Sequence, residues 1–331
     1  MKSWTIPFTA AFGLAAGLIG AGAAAQSADT PDTHVAAAKA AAGQIHAELF
    51  SSLCSTANIS PAPAPQRGQR AGGGGAPPGP PERSTWHAEP VKVFDNLYYV
   101  GMTEYSAWAV KTSDGIILLD TIYDYSIEDE VVGGLKKLGL DPATIKYALV
   151  SHGHLDHFGG AKYLQQKFGT KILMSAADWE LIAASRNQNK PERDMVVADG
   201  QKLTLGDTTL TFTLTPGHTP GTVSTLIPVK DNGTPHMVAE WGGTGFNFPR
   251  AAETFKLYAA SAEKFREVAA KAGADALISN HTRLDGSKTK IPALALRKPG
   301  DRHPYVIGVD AVKAYMTVAG ECAKAVLAAM K

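Results

Sequence analysis

Ser151-His152-Gly153-His154-Leu155-Asp156-His157-Phe158-Gly159-Gly160 is the stretch on which the reading of this chain turns. Three of the ten histidines and one aspartate fall within six residues. The run before it, residues 147–150, is apolar and partly β-branched, which predicts a buried strand. The histidines therefore occupy the loop that leaves a strand end. Gly159 and Gly160 permit a tight turn into a helix predicted over residues 161–168. In extended backbone, residues two apart point the same way, so His152 and His154 converge on one point. Asp156 and His157 follow the turn and face a second point beside it. Imidazole and carboxylate are ligand types that zinc accepts. A polar loop with scattered histidines would not combine ligand type, spacing and strand-end position in this way.

Two more histidines sit in the same kind of place. His218 lies in Thr215-Pro216-Gly217-His218-Thr219-Pro220-Gly221, where two prolines and two glycines fix a loop after a β-rich run, 208–215. His281 lies just past an apolar run, 276–279. Three separate loops at strand ends thus bring possible ligands to one edge. His34, His46, His87, His236 and His303 lack this setting, and no metal role is expected of them.

The pattern His-x-His-x-Asp-His resembles the signature of the metallo-β-lactamase superfamily, and the likeness extends roughly from Glu89 to the C-terminus. It implies an α/β fold, a four-layer αβ/βα sandwich with the metal site at one edge of the sheets. It also implies two zinc ions per chain, one held by His152, His154 and His218, the other by Asp156, His157 and His281. Three protein ligands per metal leave a position open for water or substrate, the mark of a catalytic site. The implied activity is hydrolysis by a zinc-bound hydroxide, with Asp156 both a ligand and the group that orients it.

Departures from other branches narrow the resemblance. Cys54 and Cys322 are the only cysteines and neither is near a ligand loop, so a cysteine ligand is excluded. His154 stands where flavodiiron-type relatives carry an acid. Glyoxalase II and lactonase-type members have a bridging aspartate where this chain reads Val238-Ala239-Glu240-Trp241-Gly242-Gly243. Glu240 either approaches the metals there or is an ordinary carboxylate. The chain most resembles subclass three of the class B β-lactamases, in residues 216–221 and in Glu89-Pro90 followed by Leu97-Tyr98-Tyr99-Val100-Gly101. Such an enzyme confers antibiotic resistance by opening the β-lactam amide. Trp241 departs from it, because serine is common there and a bulky side chain would narrow the pocket. Arg283, two residues past His281, is the expected anchor for a β-lactam carboxylate, with Ser224 and Trp241 as further substrate contacts. Hydrolysis of a lactone or thioester, or zinc-dependent binding without turnover, would use the same ligands.

The chain has 331 residues, 44% hydrophobic and 19% charged, in the range of an ordinary globular protein. A net charge of +1 gives no general pull on nucleic acid or anionic membrane, so the expected partner is a small-molecule substrate. Oligomeric state is not legible. Residues 1–25 read as a signal peptide: Lys2, an Ala/Gly/Leu-rich run, and Ala23-Ala24-Ala25 before Gln26. A retained membrane anchor is the alternative. Cleavage would leave a periplasmic or secreted protein with no stable anchor. Residues 26–85 read as a helical segment, 34–53, followed by a Pro/Gly-rich linker, and 86–331 as the catalytic domain. Cys54 and Cys322 are either a disulfide or two buried thiols. Strands are expected at 91–94, 97–101, 107–111, 116–120, 147–150, 171–174, 208–215, 222–229, 236–239 and 276–279. Further helices are expected at 127–138, 176–184, 254–272 and 311–330.

Overall fold

The computed structural model describes residues 1–5, 29–60 and 79–331. Residues 6–25 of the signal-like run and 61–78 of the Pro/Gly-rich stretch lie outside these residues. Among the described residues, no helix is long and apolar enough to cross a membrane.

Three helices come first: α1 (Pro31–Ala42), α2 (Ala47–Leu53) and α3 (Thr56–Ile59). The expected helix over 34–53 is broken, because Gly43 adopts φ 50° and ends α1. The first sheet then forms from β1 (Val91–Lys92), β2 (Leu97–Tyr99), β3 (Trp108–Thr112), β4 (Gly115–Leu119), β5 (Ile145–Leu149), β6 (Lys171–Ser175) and β7 (Met195–Val197), in that spatial order. Strands β1 to β4 are antiparallel neighbours, whereas β4 to β7 run parallel. Parallel strands need crossovers. These are a π-helical turn (Glu128–Val132) leading into α4 (Gly133–Lys137), then α5 (Leu155–Phe158) with α6 (Ala161–Phe168), then α7 (Ala176–Ala184).

The second sheet comprises β8 (Lys202–Leu205), β9 (Thr208–Leu214), β10 (Val223–Asp231), β11 (Thr234–Trp241) and, after α8 (Ala252–Lys271), β12 (Ala276–Ser279). Its order is β12-β11-β10-β9-β8, antiparallel except for the β11–β12 pair. Asn232 and Gly233 both take positive φ, which closes the β10–β11 hairpin at the turn that Asp231-Asn232-Gly233 predicts. The chain ends with α9 (Ser287–Leu296) and α10 (Val309–Ala328).

Side chains alternate across each strand, and this builds the layers. Trp108, Val110, Ile117 and Leu119 of the first sheet meet Phe212, Val223, Ile227, Val238 and Ile278 of the second in one inter-sheet core. Ala109, Ile116, Leu118 and Ala148 face the other way, onto Val131, Leu135, Leu164 and Trp179 of the outer helices. On the far side, Leu226, Ala239, Trp241 and Leu277 pack under α8 and α10, a core that also takes in Ala38, Leu49 and Leu53 of α1 and α2. The arrangement is the four-layer αβ/βα sandwich. A disulfide joins Cys54, just after α2, to Cys322 on α10.

Candidate metal centre

The loops leaving β4, β5, β9 and β12 meet at one edge of the two sheets. His152 is fully buried, and its Nδ1 donates to the Gly242 carbonyl at 2.7 Å. His218 donates in the same way from Nδ1 to the Gly245 carbonyl, also at 2.7 Å. These carbonyls fix each proton on Nδ1, so each Nε2 carries a bare lone pair. The two Nε2 atoms lie 3.0 Å apart, and His154 Nδ1 lies 3.1 Å from that of His218. Burial pushes His152 well below the usual histidine range and His218 down to about 3, with the neighbouring histidines adding to it. Three neutral rings therefore point acceptors at one spot. Such a cluster is repulsive by itself and suits a cation at its centre.

The second triad is Asp156, His157 and His281, and in both triads the ligand atoms lie within 4.8 Å of one another. His157 Nδ1 donates to Asp120 Oδ2 at 2.8 Å, which turns Nε2 toward Asp156 Oδ2 at 3.2 Å. Burial alone would lower His157, but the Asp156 and Asp120 carboxylates outweigh it and raise the ring to about 10. Burial likewise opposes charge on Asp156, and the His157 ring reverses that and holds its carboxyl below the usual carboxylate range. His281 is pushed down to about 4 by burial. The ring centroids of His152 and His157 are 4.1 Å apart, so the triads adjoin. All six expected ligands are brought together, and the donor set fits two metal ions.

Two aspartates that the sequence reading passed over hold this geometry. Asp120 sits at φ 59° just past β4 and accepts from Ser151 N at 2.7 Å, Ser151 Oγ at 2.9 Å and His157 Nδ1. An acid ending an apolar strand was its only signal. Asp178, fully buried on α7, accepts from Gly153 N at 2.8 Å, Thr219 Oγ1 at 2.6 Å and Gly221 N at 2.9 Å. It ties the loop of His152 and His154 to the loop of His218. An acidic residue in a first helical turn looks like ordinary capping, which hid it. Gly217, in that second loop, has φ +138°, and a Cβ there would meet Tyr258 main chain at 2.5 Å. Three tyrosines also went unread: the Tyr105 ring lies 5.5 Å from His281 and 5.1 Å from Tyr123, which stacks on Tyr125.

The expected substrate contacts fare differently. Trp241 does not line a pocket. It is fully buried, its indole packs on Tyr258 and Phe265 of α8, and its Nε1 donates to Tyr258 Oη at 3.3 Å. Strand alternation turns it toward the helices while Glu240 turns between the sheets. Ser224 is also fully buried; its Oγ bonds Thr215 Oγ1 at 2.8 Å and accepts from Gly242 N at 3.1 Å, so it braces the loop that anchors His152. Arg283 is exposed and donates to Ser52 Oγ on α2 at 3.4 Å. Glu240 belongs to neither triad. Burial first, and Asp120 next, raise its carboxyl well above the usual range.

Fold and site together are those of a metallo-hydrolase. Residues 101–231 match the profile of the metallo-beta-lactamase superfamily. The structure is similar to that of BJP-1, a subclass B3 metallo-beta-lactamase of Bradyrhizobium japonicum, at 30% identity and a TM-score of 0.62, covering 71% of this chain and 91% of that one. The FEZ-1 metallo-beta-lactamase of Legionella gormanii is similar at 26% identity and a TM-score of 0.60, covering 69% and 91%. An N-acyl homoserine lactonase of a Bacillus species is 30% identical over 152 residues, which make up 44% of this chain and 59% of the lactonase. The chain thus spans under two thirds of that relative. It belongs to the metallo-β-lactamase superfamily.

Proposed function

We propose that this protein is an exported hydrolase with two zinc ions, and that its substrate is a β-lactam. The observation that carries the metal assignment is the pair of adjoining triads, in which hydrogen bonds to Gly242, Gly245 and Asp120 fix the free ring nitrogens of His152, His218 and His157 toward two points. The two triads would hold divalent cations, which would supply an acidified water and polarise a carbonyl. The chain's own part is positional. Asp120 fixes the tautomer of His157, Asp156 places an acceptor beside the reacting water, and buried ligand rings keep the triads rigid.

Support for a β-lactam comes from the likeness to BJP-1 over nine tenths of that chain. The burial of Trp241 also removes the obstacle its bulk posed. Arg283 lies beside the His281 loop and remains the candidate for the substrate carboxylate. The Cys54–Cys322 disulfide and the signal-like N-terminus favour an oxidising compartment, hence export. Lactone or thioester hydrolysis is the second reading. It is favoured by the lactonase and by a hydroxyacylglutathione hydrolase of Acidiphilium cryptum (strain JF-5), 38% identical over 82 residues, 25% of this chain and 30% of that one.

The test is a hydrolysis panel of penicillin, cephalosporin, carbapenem, lactone and thioester, with and without chelator, on protein of measured metal content. Two zinc ions and chelator-sensitive β-lactam turnover are expected. Asp156→Ala should lower turnover by at least about a hundredfold. Stoichiometric iron, or turnover of lactones but no β-lactam, would overturn the corresponding part.

A further inference from the structure

The carbonyls that fix His152 and His218 belong to one loop, 242–251, and that loop is held from two sides. On the inner side, Tyr258 Oη of α8 donates to the Thr244 carbonyl at 2.7 Å, and the Phe246 and Phe248 rings pack on Phe255. On the outer side, the Arg250 guanidinium donates to the main-chain carbonyls of Asn58 and Ile59, the latter at 3.1 Å. Both carbonyls belong to α3, whose four residues are too few to hold a helical turn by themselves. Its neighbours fix it. Asn58 Nδ2 donates back to the Ser52 and Leu53 carbonyls of α2 at 2.9 and 3.0 Å, and Cys54, between the two helices, is bonded to Cys322 of α10. A continuous path thus runs from the disulfide through α3 and Arg250 to Gly245, whose carbonyl sets the tautomer of His218. The second triad is tied differently. Among the described residues, the one hydrogen bond from these N-terminal helices to its loops is that of Arg283 to Ser52 Oγ, at 3.4 Å.

We propose that Arg250 is a positioning residue for the three-histidine triad and that the Cys54–Cys322 bridge is the latch through which it acts, so that closing the bridge makes the metal ion of that triad slow to leave. The inference rests on the two-zinc reading but not on which substrate is cleaved. Opening the bridge takes two electrons and two protons from a dithiol, which leaves as its own disulfide while Cys54 and Cys322 become thiols; a disulfide oxidant reverses the exchange. In the opened protein α3 loses its covalent anchor, Arg250 loses fixed acceptors, and the Gly245 carbonyl can drift from His218 Nδ1. Loss of one such outer partner lowers metal affinity by about 10–100-fold. The chain would therefore hold its full metal complement firmly in a compartment oxidising enough to close the bridge.

The test follows zinc release, which needs no known substrate. Zinc-loaded protein is mixed with an excess of a chromogenic chelator, and the departure of both ions is timed. In Arg250→Ala one ion should leave at least about tenfold faster and the other within about twofold of its parent rate, because Gly245 serves one triad. Arg250→Lys, which can still donate to one carbonyl, should recover most of the difference. The same selective loss is expected in the Cys54→Ser, Cys322→Ser double variant, and in parent protein reduced with a phosphine that ends as its oxide and is then removed. Opening the bridge in the Arg250→Ala background should add little, because both changes cut one path. A general loosening of the fold would instead speed both ions and would add. Thermal melts confirm that each protein is folded at the temperature used. Equal acceleration of both ions, no acceleration in either Arg250→Ala or bridge-opened protein, or additive effects would overturn the latch and leave the two-zinc reading standing. Parent protein that takes up no more than one zinc would overturn both.

Discussion

Replacing Asp178 with alanine should loosen the three-histidine triad without touching a ligand. The carboxylate accepts three hydrogen bonds, two from main-chain N–H groups in different ligand loops and one from Thr219. In Asp178→Ala the Thr219 hydroxyl still has Thr222 Oγ1 at 2.8 Å, so it is not stranded. Gly153 N and Gly221 N lose their only partner, at about 1–3 kcal/mol each. Against this stands the relief of removing a buried carboxylate, whose desolvation already raises it above the usual range. The net loss is about 2–4 kcal/mol, or roughly 4–16 °C in Tm at about 2–4 °C per kcal/mol for a domain of this size. Asp178→Asn keeps one carbonyl for Gly153 N and Thr219 but turns an amide toward Gly221 N, so it should lose about half as much. Urea unfolding of metal-free protein gives the stability, and elemental analysis after limited chelation gives retention of the first metal. Wild-type stability and retention in Asp178→Ala, or Asp178→Asn as damaging as alanine, would refute the reasoning.

Three other outcomes are expected. With His157 raised to about 10 in the metal-free site, it is protonated at pH 7, so filling the second triad should release about one proton per chain; calorimetry in buffers of different ionisation enthalpy counts it, and zero would contradict the assignment. His46, buried after α1 and donating from Nε2 to the Ala311 carbonyl at 2.8 Å, is lowered from 6.5 to about 4, chiefly by burial. The unfolded chain therefore binds this proton first, and a contribution of about 3 kcal/mol, complete above pH 6.5, is lost as pH falls toward 4; urea midpoints across that range should slope accordingly and flatten in His46→Gln. Breaking the Cys54–Cys322 bridge frees a loop of sequence separation 268, which the chain-entropy relation values at about 5.6 kcal/mol, so reductant or a double serine variant should lower the urea midpoint markedly.

The six ligands were legible because metal chemistry restricts residue type, and a strand-end loop restricts spacing to a few positions. The sheets and long helices were legible from periodicity, since each buries one face. Short elements escaped: β7 and β8 have three and four residues, and α9 carries Pro292 inside it, so none sustains a pattern. The supporting residues escaped for a different reason. Asp120 and Asp178 act on groups 25 to 43 positions away, and nothing local distinguishes them from a strand end and a helix cap. Trp241 and Glu240 show the limit most plainly. The sequence placed them next to the ligand loops, but only the pairing of β11 with β10 and β12 decided which of the two faces the helices and which lies between the sheets. A strand reverses direction at every residue, so one position of register moves an indole from a pocket into the core.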